Sequence, residues 1–289
     1  VNNFHIVVTG ANGQLGKSIQ TLSIDLPTIR FTFLTKEELS INDKEAVFAF
    51  LQHHKPDSLI NCAAYTAVDA AETAHALALD VNANAVEILA NCCKSLDIRF
   101  VHISTDYVFD GLSTIPYKET DQTNPVNFYG FSKLEGEKRA LSINPNTVVV
   151  RTSWVYAPVG KNFVKTMLKL MQERSALNVV GDQSGSPTYA PDLAKALISI
   201  ATADQFVPGI YHFSNDGIIT WYDFAKAIAE ISASSCNVYP ITTEQYPTPA
   251  KRPFYSGLDK SKIQADYGIA LRPWRESLQT CITQILKES

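Results

Sequence analysis

The run Phe4-His5-Ile6-Val7-Val8-Thr9 passes directly into Gly10-Ala11-Asn12-Gly13-Gln14-Leu15-Gly16, and no other stretch constrains the fold as much. An apolar, β-branched run without alternation predicts a strand buried on both faces, as in a parallel sheet. Glycines at 10, 13 and 16 then allow a tight turn, a close backbone approach and close helix packing. A helix opening at Gln14, with Leu15, Ile19 and Leu22 on one face, would aim its free N–H groups at a pyrophosphate. A glycine turn alone is an ordinary strand–turn–helix feature. The strand before it and the amphipathic helix after it supply the context for a dinucleotide site.

The alternation continues along the first half. Strands are expected at 4–9, 29–34, 57–61, 98–103 and 147–152, and helices at about 14–25, 43–54, 66–95 (broken near Asp80) and 127–142. This predicts an α/β fold, a doubly wound parallel sheet covered by helices on both faces, with right-handed crossovers. Beyond Trp154 the pattern mixes helices at 162–174, 191–203, 221–232 and 274–286 with short strands at 177–180 and 209–213. The segment 236–255, rich in Pro and Thr, reads as loop with one short strand. We expect a dinucleotide-binding domain at 1–154 and a smaller α/β substrate lobe at 155–289, with room for some segments to return to the first.

Composition narrows the function. A net charge of −4 argues against a nucleic-acid surface, which needs a basic patch. No apolar run approaches the length of a membrane span, and the N-terminus lacks the pattern of a signal peptide, so a cytoplasmic location is expected. The five cysteines (62, 92, 93, 236 and 281) are odd in number and irregular in spacing, which fits free thiols in a reducing compartment. Cys92-Cys93 has no matching histidines, so no metal site is expected.

Tyr129-Gly130-Phe131-Ser132-Lys133 places Tyr129 and Lys133 four residues apart, on one helix face. A nearby ammonium would favour phenolate and let the pair pass a proton to a carbonyl oxygen near neutral pH. Alone, Tyr-x-x-x-Lys is a common surface pair. The fourth strand, however, ends Ser104-Thr105-Asp106-Tyr107, and hydroxyls at the tip of a central strand lie where substrates bind. Thr105 could donate to the same carbonyl oxygen that Tyr129 protonates.

Together these features resemble the extended short-chain dehydrogenase/reductases. Further blocks are similar to the dTDP-4-dehydrorhamnose reductase family: 13–16, 61–69, 104–111, Arg151-Thr152-Ser153-Trp154-Val155-Tyr156, and Asp182-Gln183-x-Gly185-x-Pro187-Thr188. They run through both halves of the chain. The resemblance implies that Gly10, Gly13, Gln14, Leu15 and Gly16 hold the cofactor pyrophosphate. Ser40 and Ile41 match its adenine side, Ser40 departing from a frequent Asp, while Ala63, Ala64, Tyr65 and Thr66 line it beyond the third strand. Thr105, Tyr129 and Lys133 become the catalytic set, with Tyr129 and Lys133 also touching the nicotinamide ribose. Val68, Thr105, Asp106, Tyr107, Tyr129 and Trp154 face the deoxysugar nucleotide, with Asn162, Gln183 and Arg252 toward its nucleotide end. A guanidinium at Arg252 suits a diphosphate, although a solvated surface arginine is an equal reading.

Related 4,6-dehydratases carry an acid pair after the strand-four Thr. Here the second position is Tyr107, which favours plain ketone reduction. After the second strand, Thr35-Lys36 replaces the acidic residue that selects NAD(H), so NADPH is expected, with NADH as an alternative. Ser18 stands where some members of the family carry a Glu of a magnesium-bridged dimer, which leaves monomer or homodimer open. The implied activity is reduction of the C4 ketone of dTDP-4-dehydro-L-rhamnose. The alternatives are another dTDP-4-keto-hexose, or a non-catalytic NADP-binding regulatory subunit such as the methionine adenosyltransferase β subunit.

Overall fold

A computed structural model describes residues 4–288. In chain order the first half runs β1 Phe4–Thr9, α1 Gln14–Ser23, β2 Ile29–Leu34, α2 Lys44–His54, β3 Ser58–Asn61, α3 Val68–Ala71, α4 His75–Leu79, α5 Ala85–Ser95, β4 Arg99–Thr105, α6 Phe128–Ile143 and β5 Thr147–Thr152. The second half runs β6 Val155–Tyr156, α7 Phe163–Glu173, β7 Ala176–Val180, β8 Ser184–Gly185, β9 Thr188–Tyr189, α8 Ala190–Thr202, β10 Gly209–His212, β11 Ile219–Thr220, α9 Trp221–Ile231, β12 Asn237–Ile241, α10 Ser261–Tyr267 and α11 Trp274–Glu288.

Six strands form one parallel sheet in the order β10-β5-β4-β3-β1-β2. The chain leaves β1 toward β2 on one side and toward β3 on the other. That reversal opens a crevice at the carboxyl ends of β1 and β3, where open α/β sheets bind ligands. Ile6, Val7 and Val8 are fully buried, as a strand covered on both faces requires.

One sheet face is packed by α1 and α8 through Ile19, Leu193, Leu197 and Ile200. The other is packed by α2, α5 and α6 through Val47, Leu51, Leu89 and Ala140. A separate apolar cluster joins α7, α9 and α11 through Met167, Phe224 and Leu278. The expected strand at 209–213 is thus the sixth strand of the main sheet, and α8 and α10 (through Ile263) also join its core. We retain a division near residue 154 as a proposal, with 190–213 and 261–267 belonging to the nucleotide half.

Helix α10 escaped the sequence reading. Its seven residues bury only Ile263, too little to show a period. The expected 66–95 helix is in fact three helices, with a π-helical turn at Asp80–Asn84. The wider turn carries Asn82 inward, where its amide bonds both backbone groups of Tyr65 and the Ser132 hydroxyl. One side chain so fixes the loop after β3 to α6. All five cysteines are free thiols, and no group of three potential metal ligands occurs among the described residues.

Candidate active site

The glycine turn is built for close approach. Gly10 has φ +69, and a Cβ there would stand 2.5 Å from Ala63 N. A Cβ on Gly16 would stand 2.5 Å from Gly10 O, so the third glycine lets α1 press onto the turn. Gly13 caps α1 without a side chain. The first-turn N–H groups of Gln14, Leu15 and Gly16 therefore face the crevice with no capping side chain, which suits a pyrophosphate. Ala63, Ala64 and Tyr65 are half-buried along the loop after β3, and Thr66 is exposed at its end. Ser40 is half-buried, Ile41 belongs to the core beneath it, and Lys36 is exposed beyond β2.

The chemistry gathers where β4 ends beside the start of α6. Asn127 caps α6 by accepting from Gly130 N at 2.8 Å, and Glu72 accepts from Phe128 N at 2.7 Å. Gly130 permits the approach itself: a Cβ there would lie 2.1 Å from the Tyr107 carbonyl oxygen. Tyr129 is thereby set against Tyr107, their rings edge to face at 5.8 Å. Gly130 was legible only as part of a motif; its steric role emerges from the packing.

Thr105, Asp106 and Tyr129 converge. The Thr105 hydroxyl donates to Asp106 Oδ1 at 3.0 Å and accepts from Tyr107 N. Burial pushes the Tyr129 phenol up, the Asp106 charge adds to this, and a hydrogen bond with the Thr105 side chain opposes them. The expected lowering by Lys133 is therefore corrected. Its Nζ donates to Ile103 O at 2.7 Å, with His102 Nε2 at 3.4 Å, and makes no hydrogen bond to Tyr129. Lys133 lies below the cluster, 2 % exposed, its ammonium lowered to about 8 by burial against the pull of Glu137 and Cys62.

The Asp106 carboxyl is raised from 3.8 to about 7, chiefly by burial, with hydrogen bonds from Ser256 and Thr105 opposing. The raised value fixes the sign of its linkage. Its contribution to stability is full below about pH 4 and is lost as pH rises through about 7. Asp106→Asn should remove this dependence. In urea unfolding from pH 4 to 8, the wild type should lose stability relative to the variant; parallel curves would show an ordinary solvated carboxyl.

The remaining expected positions divide. Val68 opens α3, half-buried beside the cofactor-side loop. Trp154, at φ +48, stacks on Trp221 with centroids 3.5 Å apart. Its ring also lies over Gly185, where a Cβ would stand 2.9 Å from the indole and 2.6 Å from the Ser256 hydroxyl. Trp154 is therefore packed on a second aromatic, Trp221, which in turn packs on Phe163 and Phe224. Arg252 is paired with Asp69 at 2.9 Å, and this pair flanks Tyr107. Gln183 is buried and donates to Thr243.

Asn162 stands at the start of α7, beside the glycine turn. It caps α7 and donates to Gln14 Oε1 at 2.8 Å, which joins it to the glycine turn rather than to the Thr105–Tyr129 cluster. Its amide suits capping because it accepts from Lys165 N while donating to Ala157 O.

Comparison with known proteins covers the whole arrangement. The RmlD substrate binding domain family matches residues 4–287. A dTDP-4-dehydrorhamnose reductase from Aggregatibacter actinomycetemcomitans is 43 % identical over 95 % of this chain and 97 % of its own. The crystal structure of a dTDP-4-dehydrorhamnose reductase from Clostridium acetobutylicum superposes with a TM-score of 0.93 at 41 % identity, covering 98 % of this chain and 99 % of that one. A Bacillus anthracis dTDP-4-dehydrorhamnose reductase, solved in complex with NADP, gives a TM-score of 0.93 at 36 % identity over 98 % and 99 % of the two chains. Because the match runs through both lobes and not the nucleotide half alone, the chain belongs to the RmlD substrate binding domain family.

Proposed function

We propose that the protein is an NADPH-dependent reductase acting on the C4 ketone of dTDP-4-dehydro-L-rhamnose, and that it yields dTDP-L-rhamnose in the last step of dTDP-rhamnose synthesis. The observation that carries this is the meeting of the Thr105 and Tyr129 hydroxyls at the carboxyl end of the sheet, above Lys133. The uncapped helix N-terminus at Gly13 and the bare turn at Gly10 fit a dinucleotide, and the NADP complex of the Bacillus anthracis relative supports the same cofactor.

When bound, the reduced nicotinamide supplies hydride to the ketone carbon. The chain's own part is the proton and the oxygen. Tyr129 gives its phenolic proton to the ketone oxygen as the alcohol forms. Thr105 donates a second hydrogen bond to that oxygen. A protonated Asp106 can donate to Thr105, which leaves the Thr105 hydrogen free for the ketone. Thr35 and Lys36, which follow β2, would hold a 2′-phosphate. Val68, Tyr107, Trp154 and Gln183 form the sugar-nucleotide side, with Arg252 held near it by Asp69. We place the protein in the cytoplasm, as a monomer or homodimer; no described helix is long and apolar enough to cross a membrane.

The test is NADPH oxidation, followed by absorbance, with dTDP-4-dehydro-L-rhamnose and other dTDP-keto sugars. Turnover with the rhamnose precursor is expected. Preference for another hexose would move the substrate assignment, and activity that requires a partner protein would point to a regulatory subunit.

A further inference from the structure

A buried polar chain runs beneath the active site, and its geometry fixes which nitrogen of His102 carries a proton. Asn61, at the end of β3, accepts at Oδ1 from the Thr9 hydroxyl at 2.7 Å and from Ala63 N at 3.2 Å. A backbone N–H can only donate, so the atom facing it must be the amide oxygen. The amide NH2 then faces His102 Nδ1 at 3.1 Å. That group also only donates, so Nδ1 accepts, and the neutral ring carries its proton on Nε2. Nε2 in turn faces Lys133 Nζ at 3.4 Å.

The result is a site that distinguishes two states of one nitrogen. As a free amine, Nζ can donate to Ile103 O and offer its lone pair to the His102 Nε2–H. As an ammonium it has no lone pair and sets a third N–H against that ring N–H. We infer that His102 is a positioning residue that stabilises the free amine of Lys133 over its ammonium. As pH rises, solvent hydroxide takes the proton from the Nζ–H bond and becomes water, the electron pair stays on nitrogen, and the His102 N–H turns onto it.

The surroundings leave this contact decisive. His102 and Asn61 are 0 % and 1 % exposed, so water does not compete. From α6 itself, Glu137 favours the ammonium, but its carboxylate is engaged by Arg151 of β5 at 2.7 Å. Cys62, after β3, also favours the ammonium, yet burial holds its thiol protonated. Tyr129 lies one turn away on α6, and Asp106 beyond it at the end of β4. Burial and the Lys133 charge together push the His102 imidazolium well down, which keeps the ring neutral.

The inference rests on the reductase reading for its role in turnover, but the charge state can be measured without substrate. In full-length protein, 15N spectra should show His102 as the Nε2–H tautomer, its signal assigned by its loss in His102→Gln. An Nδ1–H tautomer would overturn the proposal. With 13C at lysine Cε, the Lys133 signal (absent in Lys133→Met) should titrate about one pH unit higher in His102→Phe than in wild type. An unchanged midpoint in a folded variant would overturn it. If His102→Phe does not fold, Asn61→Asp supplies the second test. A carboxylate there demands Nδ1–H, and both the reversed tautomer and the raised midpoint should follow; reversal without a raised midpoint would count against the proposal. A shifted midpoint in a protein that fails to oxidise NADPH with any keto sugar would sink the reductase reading and leave this inference standing.

Discussion

Tyr129→Phe should lower kcat by about 10²- to 10⁴-fold while NADPH affinity changes by no more than a few-fold. The substitution deletes one hydroxyl and keeps the ring. The edge-to-face contact with Tyr107 at 5.8 Å survives, as does the Gly130 seat against the Tyr107 carbonyl. What disappears is the proton for the ketone oxygen and the partner of Thr105. Steady-state kinetics with the dTDP-keto sugar, set beside fluorescence titration with NADPH, would separate the two effects. Parallel loss of turnover and affinity would make Tyr129 a structural residue.

The second large effect is on stability. Arg151 and Glu137 are 2 % and 1 % exposed and meet through three hydrogen bonds, Nε to Oε1 at 3.0 Å and to Oε2 at 3.2 Å, and Nη2 to Oε2 at 2.7 Å. The guanidinium also lies over the Phe109 ring at 5.1 Å. Removing one partner strands a buried charge, which costs about 3–5 kcal/mol. Arg151→Met or Glu137→Leu should each show this loss in urea unfolding, while the double variant recovers much of it because neither charge then remains. The pair joins β5 to α6, the helix that carries Tyr129 and Lys133, so the single variants should also lose turnover. A loss below about 1 kcal/mol would mean that water reaches the pair.

Much of this was legible in the chain. β1 and its glycines are readable because a strand buried on both faces leaves an unbroken apolar run, and a backbone that must approach closely leaves glycine. The spacing of Tyr129 and Lys133 is a property of one helix and needs no tertiary knowledge. Their partners are different. Nothing local in Gly130 says that Tyr107 will sit on it, and nothing near His102 says that Asn61 will choose its tautomer. Arg252 and Asn162 show how distant partners enter the same region. Both have suitable chemistry for a nucleotide, and both also bond partners 183 and 148 residues away, Asp69 and Gln14. Pairing at such separations is decided by the fold and cannot be read from spacing.

The sixth strand has a consequence for how this protein is made. Gly209–His212 completes the edge of the sheet beside β5, and Leu193, Leu197 and Ile200 cover the face against α1. A ribosome that has released only the first 154 residues has exposed a bare β5 edge and a greasy flank. The coenzyme half is therefore not a portable cassette: cut from the rest at that point it should aggregate, and the chain becomes competent to bind only after most of it has been synthesised.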